Sequence, residues 1–352
     1  MLLTKREIEQ TDKSNMFYVL AAFPSQAEEA IQIGDSLNSN DEYKNVNKII
    51  ITGLGGSAIG GDLLRSYLHY EIKIPIFVNR NYRLPAFADE NTLVIVSSYS
   101  GTTEESISAY EDAKNRNCKI VCLTSGGKLE IYAESENRLL IKVPRGYQPR
   151  CAIAYSFFPL MIFFMHLGFI QERKDEIINC LDFVRKKSFQ YSKIESNENV
   201  AMGIANHLKG KIPVIYSSTD VLDIVNLRWR CQINENAKCL AFGNYLPEMN
   251  HNEITGWQEN PDSLQNFVIV SLVDREDNPR IIRRLSITLD IIHKQHGTKL
   301  IEVDAEGETR LERLMDLIHL GDWVSFYLAI MYKTDPSPIE KINILKNKLS
   351  EI

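Results

Sequence analysis

Apolar and polar residues follow one another along this chain in an order that predicts buried strands alternating with helices. Residues 93–96 form an uninterrupted apolar run, as expected for a parallel strand whose two faces are both covered by helices. The runs that we interpret as strands are 48–52, 74–78, 92–98, 119–124, 138–143, 213–216, 267–273 and 299–303. Strand and helix in repetition predict an α/β fold with doubly wound parallel sheets, which bind ligands beyond the carboxyl ends of their strands.

Segments with a helical period separate these runs. The segments that we interpret as helical are parts of 1–45, about 57–69, 106–114, 151–170, most of 171–199, 200–208, 221–238, 281–293, 311–332 and 339–349. The pattern of strand and helix therefore starts a second time after residue 150. Because residues 144–150 contain two prolines and a glycine, we place the domain change there, with one domain over 1–150 and a second over 151–352.

One segment, residues 151–170, is apolar enough to resemble a membrane span in hydropathy. It contains Ser156, Pro159 and His166, and it stands alone in a chain that otherwise alternates strands and helices. We therefore predict a buried helix between two lobes and no membrane partner.

Composition narrows the class of protein. With 352 residues, 44% of them apolar, the chain can form two domains of ordinary size, and a net charge of −6 without a basic run argues against nucleic acid as a partner. The six cysteines include no CxxC pair and no spacing typical of a zinc site. Residues 4–7 are already polar and charged, which does not fit a signal peptide. We expect reduced thiols in a soluble, cytoplasmic protein.

The predicted strand over 92–98 ends in a turn rich in hydroxyl groups. Ser98, Ser100 and Thr103 surround Gly101 just before a helical segment. The first N–H groups of a helix lack intrahelical partners and the helix dipole favours negative charge there, so such a turn can hold an anion. Three hydroxyls without a lysine suit the phosphate of a small monoester better than a nucleoside triphosphate. The simpler alternative is an ordinary helix cap, for which one hydroxyl is enough.

A glycine-rich turn follows the first predicted strand. Gly53, Gly55 and Ala58 satisfy the dinucleotide fingerprint between a strand and a helix. The next strand ends without the acid that would bind an adenosine ribose, and Arg80 there would fit only a 2′-phosphate. An NADP-dependent oxidoreductase is therefore one alternative.

The same turn allows two other interpretations. Gly55, Gly56 and Ser57 permit close approach of backbone N–H groups and a hydroxyl to a sugar. Alternatively, the glycines serve only a tight turn.

The second half of the chain contains two further polar motifs. Glu235 lies between two asparagines near the end of a predicted helix, and His251 lies in a polar loop over 246–254. Taken singly, each fits an ordinary role, a solvated helix end and a capping residue. Together with a phosphate site in the first half, they become a candidate general base and a candidate general acid.

Six motifs carry a resemblance to a known family. SSYSGTTEES at 97–106 resembles the phosphosugar-binding motif of SIS (sugar isomerase) domains. The others are GLGGSAIGGD at 53–62, PRCAIAYSFFPL at 149–160, NENAK at 234–238, PEMNHNEITGW at 247–257 and DPSPIEKINILK at 335–346. Each motif alone is weak, but their order and spacing from about residue 45 onward resemble the bifunctional phosphoglucose/phosphomannose isomerase family. The resemblance implies two SIS-type αβα lobes with a C-terminal helix.

The resemblance assigns binding roles by position. The residues that match the family's phosphate-binding positions are Ser98, Ser100 and Thr103, and those that match its sugar-contacting loop are Gly55, Gly56 and Ser57. One departure is Thr102, which stands where an asparagine is common in the phosphate loop. Since threonine is also small and polar, we expect little change.

Catalytic roles follow in the same way. Arg150 matches an arginine that stabilises an enediolate, and Glu235 matches the base that moves a proton between carbon 1 and carbon 2. His251 matches the residue that opens the pyranose ring from the partner subunit of a homodimer. The family's C-terminal lysine aligns best with Lys346, and the lysines that leave this assignment open are Lys333, Lys341 and Lys348.

The implied reaction is an aldose–ketose isomerisation of a small-molecule phosphosugar without a metal or redox cofactor. The substrates would be glucose 6-phosphate, fructose 6-phosphate and mannose 6-phosphate. A second alternative is a non-catalytic SIS-type sensor, which would keep the phosphate-binding hydroxyls but would not need Arg150 and Glu235. Such a sensor usually carries a basic DNA-binding segment, and this sequence contains no basic run.

Overall fold

The computed structural model describes residues 2–38, 41–349 and 351, apart from the side chain of His296. The chain forms two compact units. The N-proximal unit comprises Ala22–Asp182, and the C-proximal unit comprises Met1–Ala21 with Phe183–Ile352. Residue 150, where the sequence suggests a change of domain, lies inside the N-proximal unit, and the domain limits inferred from the sequence remain a prediction.

Most strands and helices follow the order that the hydrophobic pattern predicts, whereas the strand Phe242–Leu246 and the helix Gly127–Ser135 are additional. The strands are β1 Lys48–Thr52, β2 Ile76–Asn79, β3 Thr92–Ser97, β4 Lys119–Thr124, β5 Leu139–Lys142, β6 Ile212–Ser218, β7 Phe242–Leu246, β8 Phe267–Val273 and β9 Lys299–Asp304. The helices are α1 Lys5–Thr11, α2 Met16–Ala21, α3 Phe23–Asp35, α4 Gly56–Tyr67, α5 Glu104–Asn115, α6 Gly127–Ser135, α7 Ile153–His166, α8 Lys174–Tyr191, α9 Val200–Leu208, α10 Asp223–Gln232, α11 Pro261–Leu264, α12 Pro279–His296, α13 Arg310–Met331 and α14 Glu340–Leu349.

The N-proximal unit is built on a parallel sheet of five strands in the order β2-β1-β3-β4-β5. From β1 the chain passes to β2 on one side and then to β3 on the other, so the connections diverge between β1 and β3. All six residues of β3 are buried, as its apolar composition predicts. The carboxyl ends of β1 and β3 therefore form the switch point at which doubly wound sheets bind ligands.

The apolar segment near the middle of the chain forms α7, which is buried nearly throughout. It packs against α3 and α4 of the same unit, and its Tyr155 hydroxyl donates to Glu29 at 2.6 Å. The prediction that this helix is buried is confirmed, and its placement between two lobes remains a prediction.

The C-proximal unit contains a second parallel sheet in the order β7-β6-β8-β9. Its core helix, α13, starts with a capping box formed by Thr309 and Glu312. By length and composition α13 could cross a membrane, but its apolar window is entirely buried in the protein, and a core helix passes the same test. The predicted α/β fold with two doubly wound parallel sheets and a C-terminal helix is confirmed.

Buried polar contacts fix α10 against α13. Asp322 accepts hydrogen bonds from Arg228 and Gln232, each at 2.7 Å, and the Trp229 indole donates to the Leu317 carbonyl at 2.8 Å. Because unpaired groups at such depth would be costly, these pairs specify how the two helices meet. They also determine where the end of α10 lies.

Candidate active site

Two loops meet at the switch point of the N-proximal sheet. The glycine loop, residues 53–57, follows β1, and the hydroxyl loop, residues 98–103, follows β3. Thr52 is paired with Val96 across these neighbouring strands, so both loops start at the same edge of the sheet. Each loop leads directly into a helix, α4 or α5.

The hydroxyl loop is held by its own side chains. The buried Ser98 hydroxyl donates to the Thr103 hydroxyl at 3.0 Å and accepts from the Gly101 N–H at 3.2 Å. The Ser100 hydroxyl is exposed and accepts from the Thr102 N–H at 3.3 Å. Ser98 therefore shapes the loop, while Ser100 and the partly exposed Thr103 present hydroxyls at its surface.

Gly101 is required by the backbone of this loop. It has a φ of 68°, and a Cβ atom there would lie 1.6 Å from the carbonyl oxygen of Gly126. Thr103 is the N-cap residue of α5, but its hydroxyl does not cap the helix. The first turn of α5 therefore lacks a side-chain cap from Thr103, as expected of a helix end that receives an anion.

The glycine loop lies against the segment that carries Arg150. Gly55 is the N-cap residue of α4 and Gly56 its first residue. A Cβ on Gly56 would lie 2.5 Å from the Pro149 carbonyl oxygen and 2.9 Å from the Arg150 nitrogen. Only glycine allows this approach. The Ser57 hydroxyl accepts from the backbone N–H of Tyr99 in the hydroxyl loop at 3.0 Å.

Arg150 lies in a short 3-10 turn, Pro149–Cys151, just before α7, and it is only 4% exposed. All the residues predicted from the first half of the chain thus belong to one edge of one sheet or to a turn in contact with it. A guanidinium buried there keeps its charge, because arginine does not lose its proton in proteins.

The arginine needed by the dinucleotide alternative has another partner. Arg80 forms an ion pair with Asp62 of α4, and Asn79 beside it donates to the Thr52 hydroxyl at 3.1 Å. A cofactor phosphate would have to compete with Asp62 for that guanidinium.

Glu235 lies in an unusual stretch of helix. The sequence predicts a helix over 221–238, and the structure is helical over most of that range. The pattern did not reveal that α10 ends at Gln232 and continues as a π-helical turn, Ile233–Ala237. Such turns occur frequently at functional sites. Both neighbours of Glu235 are anchored, since Asn236 donates to the Ser325 hydroxyl at 2.9 Å and the Asn234 side chain accepts from the Ala241 N–H at 3.0 Å.

The π-helical turn borders a cleft of about 740 Å³ in the C-proximal unit. The residues that line the cleft are Asn234, Glu235, Lys238, Cys239, Leu240, Thr334, Asp335, Pro338, Ile339, Glu340, Lys341 and Ile342. The Lys238 ammonium donates to the Glu235 carbonyl at 2.5 Å and to the Pro336 carbonyl at 3.1 Å, which joins the two walls. Among the described residues that line this cleft, Lys341 is present with Glu235 and Lys346 is not.

His251 is exposed at the end of a 3-10 turn, Glu248–His251, that follows β7. The next stretch is fixed by Glu253, which accepts from the Tyr216 hydroxyl at 2.5 Å and the Asn244 amide at 2.6 Å. His251 is not among the described residues that line the Glu235 cleft. Within the C-proximal unit, the structure does not bring His251 and Glu235 to the same cleft.

Two residues without a predicted role support the candidate residues, each within its own unit. Tyr99 lies between the serines of the hydroxyl loop, and Asn236 follows Glu235. Their partners are distant in sequence, 48 residues for Tyr99 with Tyr147 and 89 for Asn236 with Ser325, so no local pattern could reveal them.

Family comparisons agree with this geometry. Residues 42–170 match the SIS domain family, and residues 197–349 match the family described as the bacterial phospho-glucose isomerase C-terminal SIS domain. A solved structure with a similar fold is the C-terminal domain of glucosamine-fructose-6-phosphate aminotransferase from Francisella tularensis. It has a TM-score of 0.67 and 16% identity, and the match covers 90% of this chain and 96% of that one.

Relatives in sequence cover nearly the whole chain. A bifunctional phosphoglucose/phosphomannose isomerase from Caldicellulosiruptor bescii is 43% identical over 96% of this chain and 99% of its own. One of the same name from Aquifex aeolicus is 35% identical over 92% of this chain and 99% of its own. The protein described here therefore belongs to the bifunctional phosphoglucose/phosphomannose isomerase family.

Proposed function

We propose that this enzyme interconverts glucose 6-phosphate and fructose 6-phosphate and also acts on mannose 6-phosphate. The observation that carries the proposal is the meeting of a glycine loop, a hydroxyl loop and a buried arginine at the switch point of one sheet. That arrangement suits the binding of a phosphorylated sugar. Membership of the isomerase family indicates that the reaction is an isomerisation.

Substrate phosphate binds at the hydroxyl loop in this proposal. Ser100 and Thr103 donate hydrogen bonds to it, Ser98 maintains the loop, and the N-terminus of α5 favours its charge. Gly55, Gly56 and Ser57 contact the sugar. Binding energy from the phosphate, which does not react, orients the reacting carbons and so lowers the barrier to catalysis.

The proton transfer itself needs one base and one fixed cation. Glu235 removes the proton from carbon 2 of the open-chain aldose, electrons move onto the carbonyl oxygen, and a cis-enediolate forms. The same carboxyl group returns the proton to carbon 1 while the hydroxyl on carbon 2 loses its proton and becomes the carbonyl. That proton passes to the oxygen on carbon 1, which gives the ketose. Arg150 stabilises the oxyanion, and its charge is constant over the working pH range.

Mannose 6-phosphate differs from glucose 6-phosphate only in configuration at carbon 2. A base that acts on one face of the enediol can deliver the proton to either configuration if the sugar rotates about its carbon backbone. We infer that ring opening requires His251 from a partner subunit and a C-terminal lysine. The motif resemblance points to Lys346 for that lysine, and the lining of the Glu235 cleft points to Lys341. We further propose that the enzyme is a cytoplasmic homodimer that needs neither metal nor nucleic acid.

A coupled assay of the purified protein on fructose 6-phosphate tests the function, with EDTA present and with glucose 6-phosphate and mannose 6-phosphate detected separately. Formation of both products supports the bifunctional isomerase. Glucose 6-phosphate alone would restrict the enzyme to one aldose. If neither product forms while fructose 6-phosphate still raises the Tm, the protein is a phosphosugar-binding sensor instead.

A further inference from the structure

Tyr99 connects four loops at the carboxyl edge of the N-proximal sheet. Its backbone N–H donates to the Ser57 hydroxyl of the glycine loop at 3.0 Å. Its carbonyl accepts from the Ser125 hydroxyl, beyond β4, at 2.7 Å. Its phenol donates to the Pro144 carbonyl at 2.8 Å and accepts from the Tyr147 N–H at 3.0 Å, both beyond β5.

The phenol oxygen of Tyr99 both donates and accepts a hydrogen bond. Burial raises its pKa, so the hydroxyl stays protonated at neutral pH and can donate to Pro144. Because it also accepts from Tyr147, its hydrogen-bonding capacity is directed to the protein backbone. A direct contact of this hydroxyl with substrate is therefore not the role that the geometry favours.

The segment held by the phenol leads directly to Arg150. Only Gln148 and Pro149 separate Tyr147 from that arginine. On its other side the turn Pro149–Cys151 is limited by Gly56, beside which no additional atom fits. Gly56, Tyr99 and Pro149 also border a small pocket with only about 10 Å³ of room for water, so little free space remains beside the turn.

We propose that Tyr99 is a positioning residue that sets the place of Arg150 relative to the hydroxyl loop. Gly56 prevents the turn from moving in, and the phenol prevents residues 144–148 from moving out. The role rests on the proposed function, in which Arg150 stabilises the enediolate. Tyr99 itself lies within the hydroxyl loop. The same residue therefore fixes the position of the loop that binds the phosphate and the position of Arg150.

The test is Tyr99→Phe, which keeps the ring and removes both phenolic hydrogen bonds. Misplacement of a catalytic group by about 1 Å can cost about 100-fold in rate, so we expect kcat for fructose 6-phosphate to fall about 10-fold to 100-fold. KM should stay within about threefold, because Ser100 and Thr103 still present their hydroxyls. Hydrogen–deuterium exchange of residues 144–152 should accelerate.

Tyr67→Phe is the matched control. Its hydroxyl, at the end of α4, accepts from Arg173 at 2.6 Å, so the change also deletes a phenolic hydrogen bond of the same unit. We expect its kcat to stay within about twofold of the wild type and exchange over 144–152 to be unchanged. Circular dichroism and the Tm report whether each variant is folded.

A double-mutant cycle with Arg150→Ala separates positioning from a general loss of structure. If Tyr99 acts through Arg150, adding Tyr99→Phe to Arg150→Ala should change kcat by less than about twofold. An equal loss in both backgrounds, or a single Tyr99→Phe with wild-type kcat, would overturn the positioning role alone. A wild-type protein without isomerase activity would overturn the proposed function and this role together, even if residues 144–152 exchanged faster.

Should Tyr99→Phe fail to fold, Pro144→Gly loosens the same segment from the other side while keeping the carbonyl acceptor. We expect it to lower kcat with KM again within about threefold, because glycine increases the freedom of the backbone before Arg150. An unchanged kcat in this variant would also contradict the proposal.

Discussion

Glu235 lies in a turn wound more loosely than an α-helix, and the residues on both sides of it are tied to other parts of the C-proximal unit. Asn236 is bonded to Ser325 of α13, and Asn234 is bonded to the backbone of Ala241. Two such anchors fix the backbone at Glu235 beside the cleft that the residue borders. This is the kind of support that a proton-transferring carboxylate requires, since geometry precedes pKa in general base catalysis.

We expect Glu235→Gln to abolish turnover while the phosphosugar still binds. Glutamine has nearly the same shape but cannot accept the proton, so kcat should fall by about 1,000-fold or more. The rise in Tm caused by fructose 6-phosphate should stay close to that of the wild type. The measurement is kcat in the coupled assay beside a thermal-shift titration.

Glu302→Gln serves as the matched control for that change. Glu302 is an exposed glutamate of β9, and its replacement should leave kcat within about twofold of the wild type. Substantial residual activity in Glu235→Gln would show that another group is the base.

At the scale of elements, the apolar runs of the buried strands were sufficient to predict most of both sheets. β1, β3, β4 and β8 are covered on both faces, so their composition is almost continuously apolar. The same reasoning located the glycine and hydroxyl loops, because strand ends are marked by an abrupt change to glycine and serine. The edge at which the N-proximal site residues meet could therefore be predicted.

Elements with mixed composition were missed. β7 is an edge strand with the sequence FGNYL, in which glycine and asparagine are residues that strands usually lack. α6 directly follows Gly126, and a run of serine and two glycines such as residues 125–127 is typical of a turn rather than of a helix start. The π-helical turn has no local signature, since its supports, Ser325 and Ala241, come from elsewhere in the chain.

The C-terminal helix separates two of the candidate lysines. Lys341 and Lys346 are five residues apart in α14, which places them about 140° apart around the helix axis. Lys341 lines the cleft with Glu235, and Lys346 does not. Alignment favours Lys346 for ring opening, whereas the geometry within the unit favours Lys341.

We therefore expect Lys341→Ala to lower kcat/KM for glucose 6-phosphate about 100-fold, the loss typical of a missing acid–base group. Lys346→Ala should stay within about threefold, and each variant thus controls for the other. Steady-state kinetics with glucose 6-phosphate decides between them. A large loss in Lys346→Ala alone would restore the assignment by alignment.

At the scale of the whole molecule, the proposed reaction draws on groups from both units. The N-proximal unit supplies the hydroxyl loop and Arg150, and the C-proximal unit supplies Glu235 and His251. Sequence identified these groups by motif, yet motifs carry no information about which subunit serves which site. His251 is exposed and does not line the Glu235 cleft of its own unit, which is consistent with a role in another subunit's site.

Mixing two inactive variants tests that role. A homodimer with shared sites has, in a heterodimer of His251→Ala and Glu235→Gln subunits, one site with both intact groups and one with neither. Random exchange makes half of the dimers heterodimers, so activity should recover to about a quarter of the wild type. Each variant alone should stay inactive. Subunit exchange is verified with a tag on one variant, and kcat is measured before and after mixing. If tagged heterodimers form and activity does not return, His251 serves the site of its own subunit, because both sites of the heterodimer would then lack one group.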